Sequence, residues 1–176
     1  EPSAKKCRIN ALRNREKENI EIFHGAYKDV VPHLEKKYDW ICMIGAFEAG
    51  KMLMGGITPY RDLLVSAREL LAPGGKIVIA SQNRLGLRYF AGCREEYSGK
   101  YFGGMEGYSE DVQRRTFSRP ELERIICSAG LEEVQFYYPY PDYRLPMTVY
   151  SDDHLPKVGE LWDNLRNFDQ ERYLMF

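Results

Sequence analysis

Residues 38–48 read Tyr-Asp-Trp-Ile-Cys-Met-Ile-Gly-Ala-Phe-Glu, and residues 71–80 read Leu-Ala-Pro-Gly-Gly-Lys-Ile-Val-Ile-Ala. The first stretch holds a near-continuous apolar run at 39–44, the pattern of a strand buried on both faces of a parallel sheet. The second opens on Pro73-Gly74-Gly75, where Pro followed by Gly suits the central positions of a type II turn. It then predicts a strand over 76–81. Between the two, residues 59–71 predict an amphipathic helix. Thr58 is a capping residue, Pro59 takes the first helical position, and Tyr60, Leu63, Leu64, Ala67, Leu70 and Leu71 recur at helical spacing. A strand, a helix and a second strand in this order make a parallel α/β unit.

Working outward, residues 118–129 predict a second strong helix. Ser118 and Glu121 form a capping box, Leu122, Ile125, Ile126 and Ala129 line one face, and Gly130 ends it. A strand is expected over 131–138. Upstream, residues 3–17 predict a helix capped by Ser3, with Ala4, Cys7, Ala11 and Leu12 as a modest apolar stripe. Its Lys5, Lys6, Arg8, Arg13, Arg15 and Lys17 are read as a solvated basic face. Residues 20–24 alternate like a short strand, and 28–36 predict helical turns holding Val30, Val31 and Leu34, with Pro32 tolerable only in the first turn. Residues 86–116 are an insertion rich in Gly and aromatics, expected as a substrate-side lid. The division expected is an α/β domain over 1–138, then a Pro/Tyr-rich arm and C-terminal helix over 139–176. The arm is expected to be extended over 139–156, and the helix to run over 158–168 through Leu161, Leu165 and Phe168. Parallel sheets bind ligands at the carboxyl ends of their strands, so the loops after residues 24, 44 and 81 are the ones to inspect.

Composition bounds the rest. The chain has 176 residues, 44% hydrophobic and 29% charged, which fits one globular domain plus a short tail. A formal charge of −1 gives no indication of a nucleic-acid partner. No stretch approaches the roughly 20 apolar residues of a membrane span, and the amino terminus has no apolar signal region. Cys7, Cys42, Cys93 and Cys127 form no C-x-x-C pair and are read as reduced thiols of a cytoplasmic protein. His24, His33 and His154 are scattered, so no metal site is expected. The missing initiator Met and the apolar last residues, Tyr-Leu-Met-Phe, suggest a piece of a longer chain.

Residues 45–51, Gly-Ala-Phe-Glu-Ala-Gly-Lys, match the G-x-x-x-x-G-K of a phosphate-binding P-loop after a strand. Three features weaken that reading. Met52 stands where Ser or Thr should hold Mg²⁺, Glu48 puts a carboxylate among the phosphates, and Gly55-Gly56 interrupts the helix that should face the anion.

The succession over 38–84 resembles instead the second half of the class I S-adenosylmethionine-dependent methyltransferases, in which a helix and an L-x-P-G-G turn join the fourth strand to the fifth. Thr116-Phe-Ser-Arg-Pro-Glu-Leu-Glu-Arg with Ala129-Gly130-Leu131 resembles that family's later helix and strand. Glu1, the following helix and Asn19-Ile-Glu-Ile resemble the stretch after its second strand. The resemblance implies a Rossmann-like α/β fold, a parallel sheet with flanking helices, whose first strands and Gly-rich loop would lie before Glu1. The chain alone is then expected to bind the cofactor weakly or not at all. The resemblance also implies site residues. Glu1 would accept hydrogen bonds from the ribose hydroxyls of S-adenosyl-L-methionine. Ala26 departs from the family's adenine-binding Asp, although a backbone N–H there remains available and Tyr27 could pack on the base. Gly45, Ala46 and Phe47 would wall the cofactor, and Asn83 and Arg84 would meet the acceptor. Glu48, Glu95, Glu96 and Glu106 are candidate bases, each also readable as a structural or solvated carboxylate.

Residues 82–108 and 135–156 resemble a bacterial subgroup associated with cell-surface polysaccharide synthesis, which implies a sugar or glycolipid acceptor and an adjoining glycosyltransferase domain. Two rivals stand beside this reading. One is a short-chain dehydrogenase, for which Tyr97-Ser-Gly-Lys100 has the wrong spacing. The other is a scaffold that kept the fold and lost the cofactor.

Overall fold

The computed structural model describes residues 1–90, 92–140 and 142–160. Most of the helix expected over 158–168 lies outside the described residues. The elements in chain order are α1 (Ala4–Arg13), α2 (Tyr27–Val30), β1 (Tyr38–Ile44), α3 (Gly50–Met54), α4 (Pro59–Glu69), β2 (Leu71–Ala80), α5 (Leu87–Phe90), α6 (Gly103–Glu106), α7 (Arg119–Ser128), β3 (Tyr137–Tyr140) and β4 (Thr148–Ser151). Short 3₁₀ turns occupy Val31–His33 and Phe47–Ala49. The architecture is mixed α/β. β1 and β2 form a parallel two-stranded sheet, and β3 and β4 form an antiparallel hairpin.

The β1–β2 pairing runs Trp40 to Lys76 through Ile44 to Ala80, while Tyr38 pairs with Leu71. The residues between Leu71 and Lys76 are therefore extruded from the ladder, and the expected turn survives as an irregularity inside β2. Gly74 has φ +77°, the conformation that the third position of a type II turn needs.

The core lies on one face of this sheet. Met43 with Ile41, and Ile77 with Ile79, pack against Tyr60, Leu63, Leu64 and Ala67 of α4 and Ile126 of α7. α4 also holds the end of α7. Arg68 Nη1 donates to the carbonyl of Ala129 at 2.7 Å, and Arg61 Nε to that of Ser128 at 3.1 Å. These cations satisfy carbonyls that a helix terminus leaves without partners. The capping box of α7 forms as expected: the Ser118 N–H donates to Glu121 Oε2 at 2.9 Å.

Four expectations are corrected. The apolar run 39–44 is covered on one face only; Trp40 (59%) and Ile44 (56%) on the other are exposed, because no described helix lies over them. Residues 20–24 and 131–136 form no strand. An alternating pattern makes a segment extended, but a strand also needs a neighbour, and neither has a ladder partner. The predicted strand 131–138 contributes only its end, within β3, and the arm folds into a hairpin instead of running extended. Thr58 does not cap the backbone of α4; its hydroxyl donates to Asp62 at 3.0 Å. Helix α1 is shorter than expected and buries none of its residues. Among the described residues no helix is long and apolar enough to cross a membrane.

Candidate functional site

The site builds from the carboxyl ends of β1 and β2. β1 continues one step past Ile44, where the Gly45 N–H donates to the Ala80 carbonyl at 2.8 Å. Gly45 then turns with φ +60°, and a Cβ there would lie 2.7 Å from the Tyr143 hydroxyl. This close approach, in a conformation β-branched residues rarely adopt, explains the small residue. Ala46 leads into the 3₁₀ turn, and Phe47 turns inward. Phe47 is fully buried, its ring 5.6 Å from that of Tyr60 and 5.3 Å from that of Phe117. It is a core residue, and the resemblance had placed it on a ligand wall.

Glu48 is also buried, with 1% of its surface exposed. Its Oε1 accepts from the Gln82 N–H at 3.4 Å, and its Oε2 has no hydrogen-bond partner. Lys51, the lysine of the P-loop match, reaches out to the Glu110 carbonyl. α3 ends after little more than a turn at Gly55. Residues 45–51 thus make no phosphate cradle.

The hairpin returns to this edge. Gln82 Nε2 donates to Asp142 at 2.8 Å, and Arg144 pairs with Asp142 at 2.7 Å and with Glu96 at 3.2 Å. Arg88 adds contacts to Glu96 at 3.5 Å and Asp142 at 3.9 Å. Burial raises the Asp142 carboxyl, but the bonds from Arg144 and Gln82 outweigh it and hold the group at about 2. At its other end the hairpin is tied to α7, where Arg119 pairs with Asp152 at 2.7 Å and the Tyr138 hydroxyl donates to the same carboxylate at 2.6 Å. The sequence reading left Asp142, Tyr143 and Arg144 in an extended arm. The density of Tyr and Pro at 137–146 was the available hint of a packed segment.

The insertion is ordered around a buried carboxylate. Glu95 accepts from the N–H groups of Tyr97 (2.9 Å) and Ser98 (2.5 Å) and from the Tyr108 hydroxyl (3.0 Å), which also bonds Thr116 at 2.6 Å. This network leaves Glu95 structural. Asn83 and Arg84 lie side by side past β2. Asn83 forms a parallel bridge with Phe117, and its side chain accepts from the Leu85 N–H at 2.9 Å. Arg84 pairs with Glu121 at 2.8 Å, so its guanidinium serves α7. Burial raises the Glu121 carboxyl, and the Ser118 and Arg84 bonds bring it below its ordinary range. Removing one partner of a half-buried charge pair leaves the other unsatisfied. Arg84→Ala should therefore cost about 1–3 kcal/mol of stability, as expected for a charged hydrogen bond. Thermal unfolding checks this; an unchanged midpoint would show the pair to be dispensable.

The remaining expected residues lie along the amino-terminal segment. The Glu1 amino group donates to the Phe23 carbonyl at 3.0 Å, and the Gly25 N–H donates to the Glu1 carbonyl at 3.2 Å. This is the slanted bonding of a parallel pair. The exposed Glu1 carboxylate accepts from the Ser3 N–H at 3.1 Å. Ala26 starts α2, its carbonyl accepting from Asp29 and Val30. The Tyr27 hydroxyl bonds Ser66 of α4 at 3.1 Å. Tyr27 lines a depression of about 410 Å³ with Lys37 and Leu70, the residues just before β1 and β2. Its ring thus faces the amino side of the strands, away from Gly45. The structure brings Gly45, Ala46, Glu48, Gln82 and Tyr143 together, and Asn83 with Arg84; it does not gather Tyr27 and Phe47 with them. No family model matches this chain, and no curated protein matches it.

Proposed function

We propose that the chain forms part of a class I methyltransferase-like domain, which transfers the methyl group of S-adenosyl-L-methionine to a small-molecule or sugar acceptor. Cell-surface polysaccharide synthesis is the setting its resemblance favours. The observation that carries the reading is the parallel β1–β2 pair, joined through α4, with Gly45 held in a tight turn at the carboxyl end of β1. Ligands of open α/β sheets sit at that end. The parallel-type bonding of Glu1 beside residues 23–25 supports it further, as does the apolar uncovered sheet face, which is patterned for cover on both sides.

The cofactor's fit is partial. The exposed Glu1 carboxylate suits two ribose hydroxyls, and the Gly45 turn suits close backbone approach. Tyr27 and Phe47 are committed elsewhere. When bound, the cofactor supplies an electrophilic sulfonium methyl. The chain's own part is to align an acceptor and exclude water, effects that together can supply roughly 7–11 kcal/mol.

The alternative is a scaffold that keeps the fold without the cofactor, and the Tyr143 hydroxyl lying on Gly45 favours it. Amide NMR of the full chain separates the readings. Millimolar S-adenosylhomocysteine should shift the Gly45 and Ala46 amides, and Lys51→Ala should leave that response intact. No shift at those amides would favour the scaffold. A response to Mg²⁺-ATP that Lys51→Ala abolishes would restore the P-loop reading.

A further inference from the structure

Four carboxylates lie around the loop after β1, and three of them are fully employed. Glu95 accepts from two backbone N–H groups and the Tyr108 hydroxyl, Glu96 pairs with Arg88 and Arg144, and Asp142 is held by Arg144 and Gln82. Glu48 is the exception. It is as buried as Glu95, yet its only printed bond is the long one from the Gln82 N–H, and its buried Oε2 accepts nothing. A polar atom withdrawn from water without a partner is destabilising, so a folded protein that keeps one invites a reason. Tyr97 and Tyr143 stand close by. Burial, and then the Glu48 charge, push both phenols above their ordinary pKa. The neighbourhood is therefore a carboxylate oxygen in need of a donor, beside two aromatic rings, at the carboxyl end of a parallel strand.

We propose that Glu48 Oε2 accepts a hydrogen bond from a hydroxyl of a polyhydroxylated, sugar-like ligand seated against Tyr97 and Tyr143. Phenol rings offer flat apolar faces to the C–H groups of a pyranose, and a carboxylate is a strong acceptor for its hydroxyls. An ammonium ligand suits the site less well, because it would enter beside the guanidinium groups of Arg88 and Arg144. The inference deepens the sugar-acceptor reading above and rests on it. It gives Glu48 a role distinct from that of Glu95, with which it shared a place among the candidate bases.

The test uses the full chain, with tyrosine rings labelled for NMR and no S-adenosylmethionine present, so that its outcome is separate from that of the cofactor titration. Methyl α-glucopyranoside and methyl α-mannopyranoside are the probes, with ethylammonium chloride at matched ionic strength as control. At least one pyranoside should shift the Tyr97 and Tyr143 ring signals saturably, and ethylammonium should not. Glu48→Gln should weaken that response by at least about fivefold, the scale of one charged hydrogen bond. The same substitution should leave the unliganded melting temperature equal or higher, since it removes a buried charge with a vacant acceptor. Tyr97→Leu gives a second reading of the site and should also lose the response. Absence of a saturable shift with either sugar would overturn the proposal, as would a saturable ethylammonium response. A Glu48→Gln variant that melts lower yet binds normally would mark Glu48 as structural and overturn it as well.

Discussion

Phe47→Ala is expected to lower stability by about 3–5 kcal/mol, the cost of deleting a buried aromatic ring. Phe47 has no exposed surface, and its ring closes a triangle with Tyr60 and Phe117, whose own rings meet edge to face at 4.8 Å. Neighbours on α4, β1 and the segment before α7 cannot all move in to fill the space, so a cavity term adds to the lost transfer energy. Domains of this size have only about 5–15 kcal/mol in hand, so the variant should be substantially less stable under ordinary conditions. Urea unfolding measures it: the midpoint should fall while the slope stays the same. A ligand-wall residue would behave the other way, leaving the midpoint nearly fixed and changing ligand affinity. A loss below about 1 kcal/mol would be too small for a filled core position, and would return Phe47 to the ligand edge.

The contrast between Phe47 and its neighbours shows what the sequence could reveal. α4 and α7 were legible because their information is local: apolar spacing, a Pro at the first position, and a Ser-x-x-Glu box that forms as written. β1 and β2 were legible because apolar runs of that length, separated by a capped helix, have few other solutions. Residues 20–24 and 131–136 carry strand-like patterns but no ladder, since pairing depends on a neighbour the local pattern cannot supply. The same limit applies to side chains. Phe47 follows a strand and a Gly-Ala turn, which read as a ligand loop, and only the packing of Tyr60 and Phe117 turns it inward. Arg84 read as a free cation, but its partner Glu121 lies 37 residues away. Asp142 finds Gln82 across 60 residues, so the closure of the hairpin over the strand ends had no local trace. Glu48 was noticed as a misfit in a phosphate loop, and that mismatch was the legible sign of its burial.

Gly45→Val tests the ligand edge itself. Two separate penalties meet at this position. The backbone has φ +60°, where an L-residue is strained by about 1–2 kcal/mol and a β-branched one more. The new Cβ would also sit 2.7 Å from the Tyr143 hydroxyl, so the arm must give way, with an overpacking cost of about 1–3 kcal/mol. The expected total is about 2–5 kcal/mol, read as a fall in the urea midpoint. A double-mutant cycle separates the two parts. Removing the phenol with Tyr143→Ala should restore the steric share in the Gly45→Val background and leave the backbone share in place. If the two substitutions prove additive, the hydroxyl does not rest on Gly45 in solution, and the arm does not close this edge. If they couple by about 1 kcal/mol or more, the arm and the β1 turn share one space. A ligand seated at Gly45 would then have to displace Tyr143 to enter. In that case Tyr143→Ala alone should strengthen binding of S-adenosylhomocysteine, whereas Gly45→Val should weaken it even with the arm residue removed.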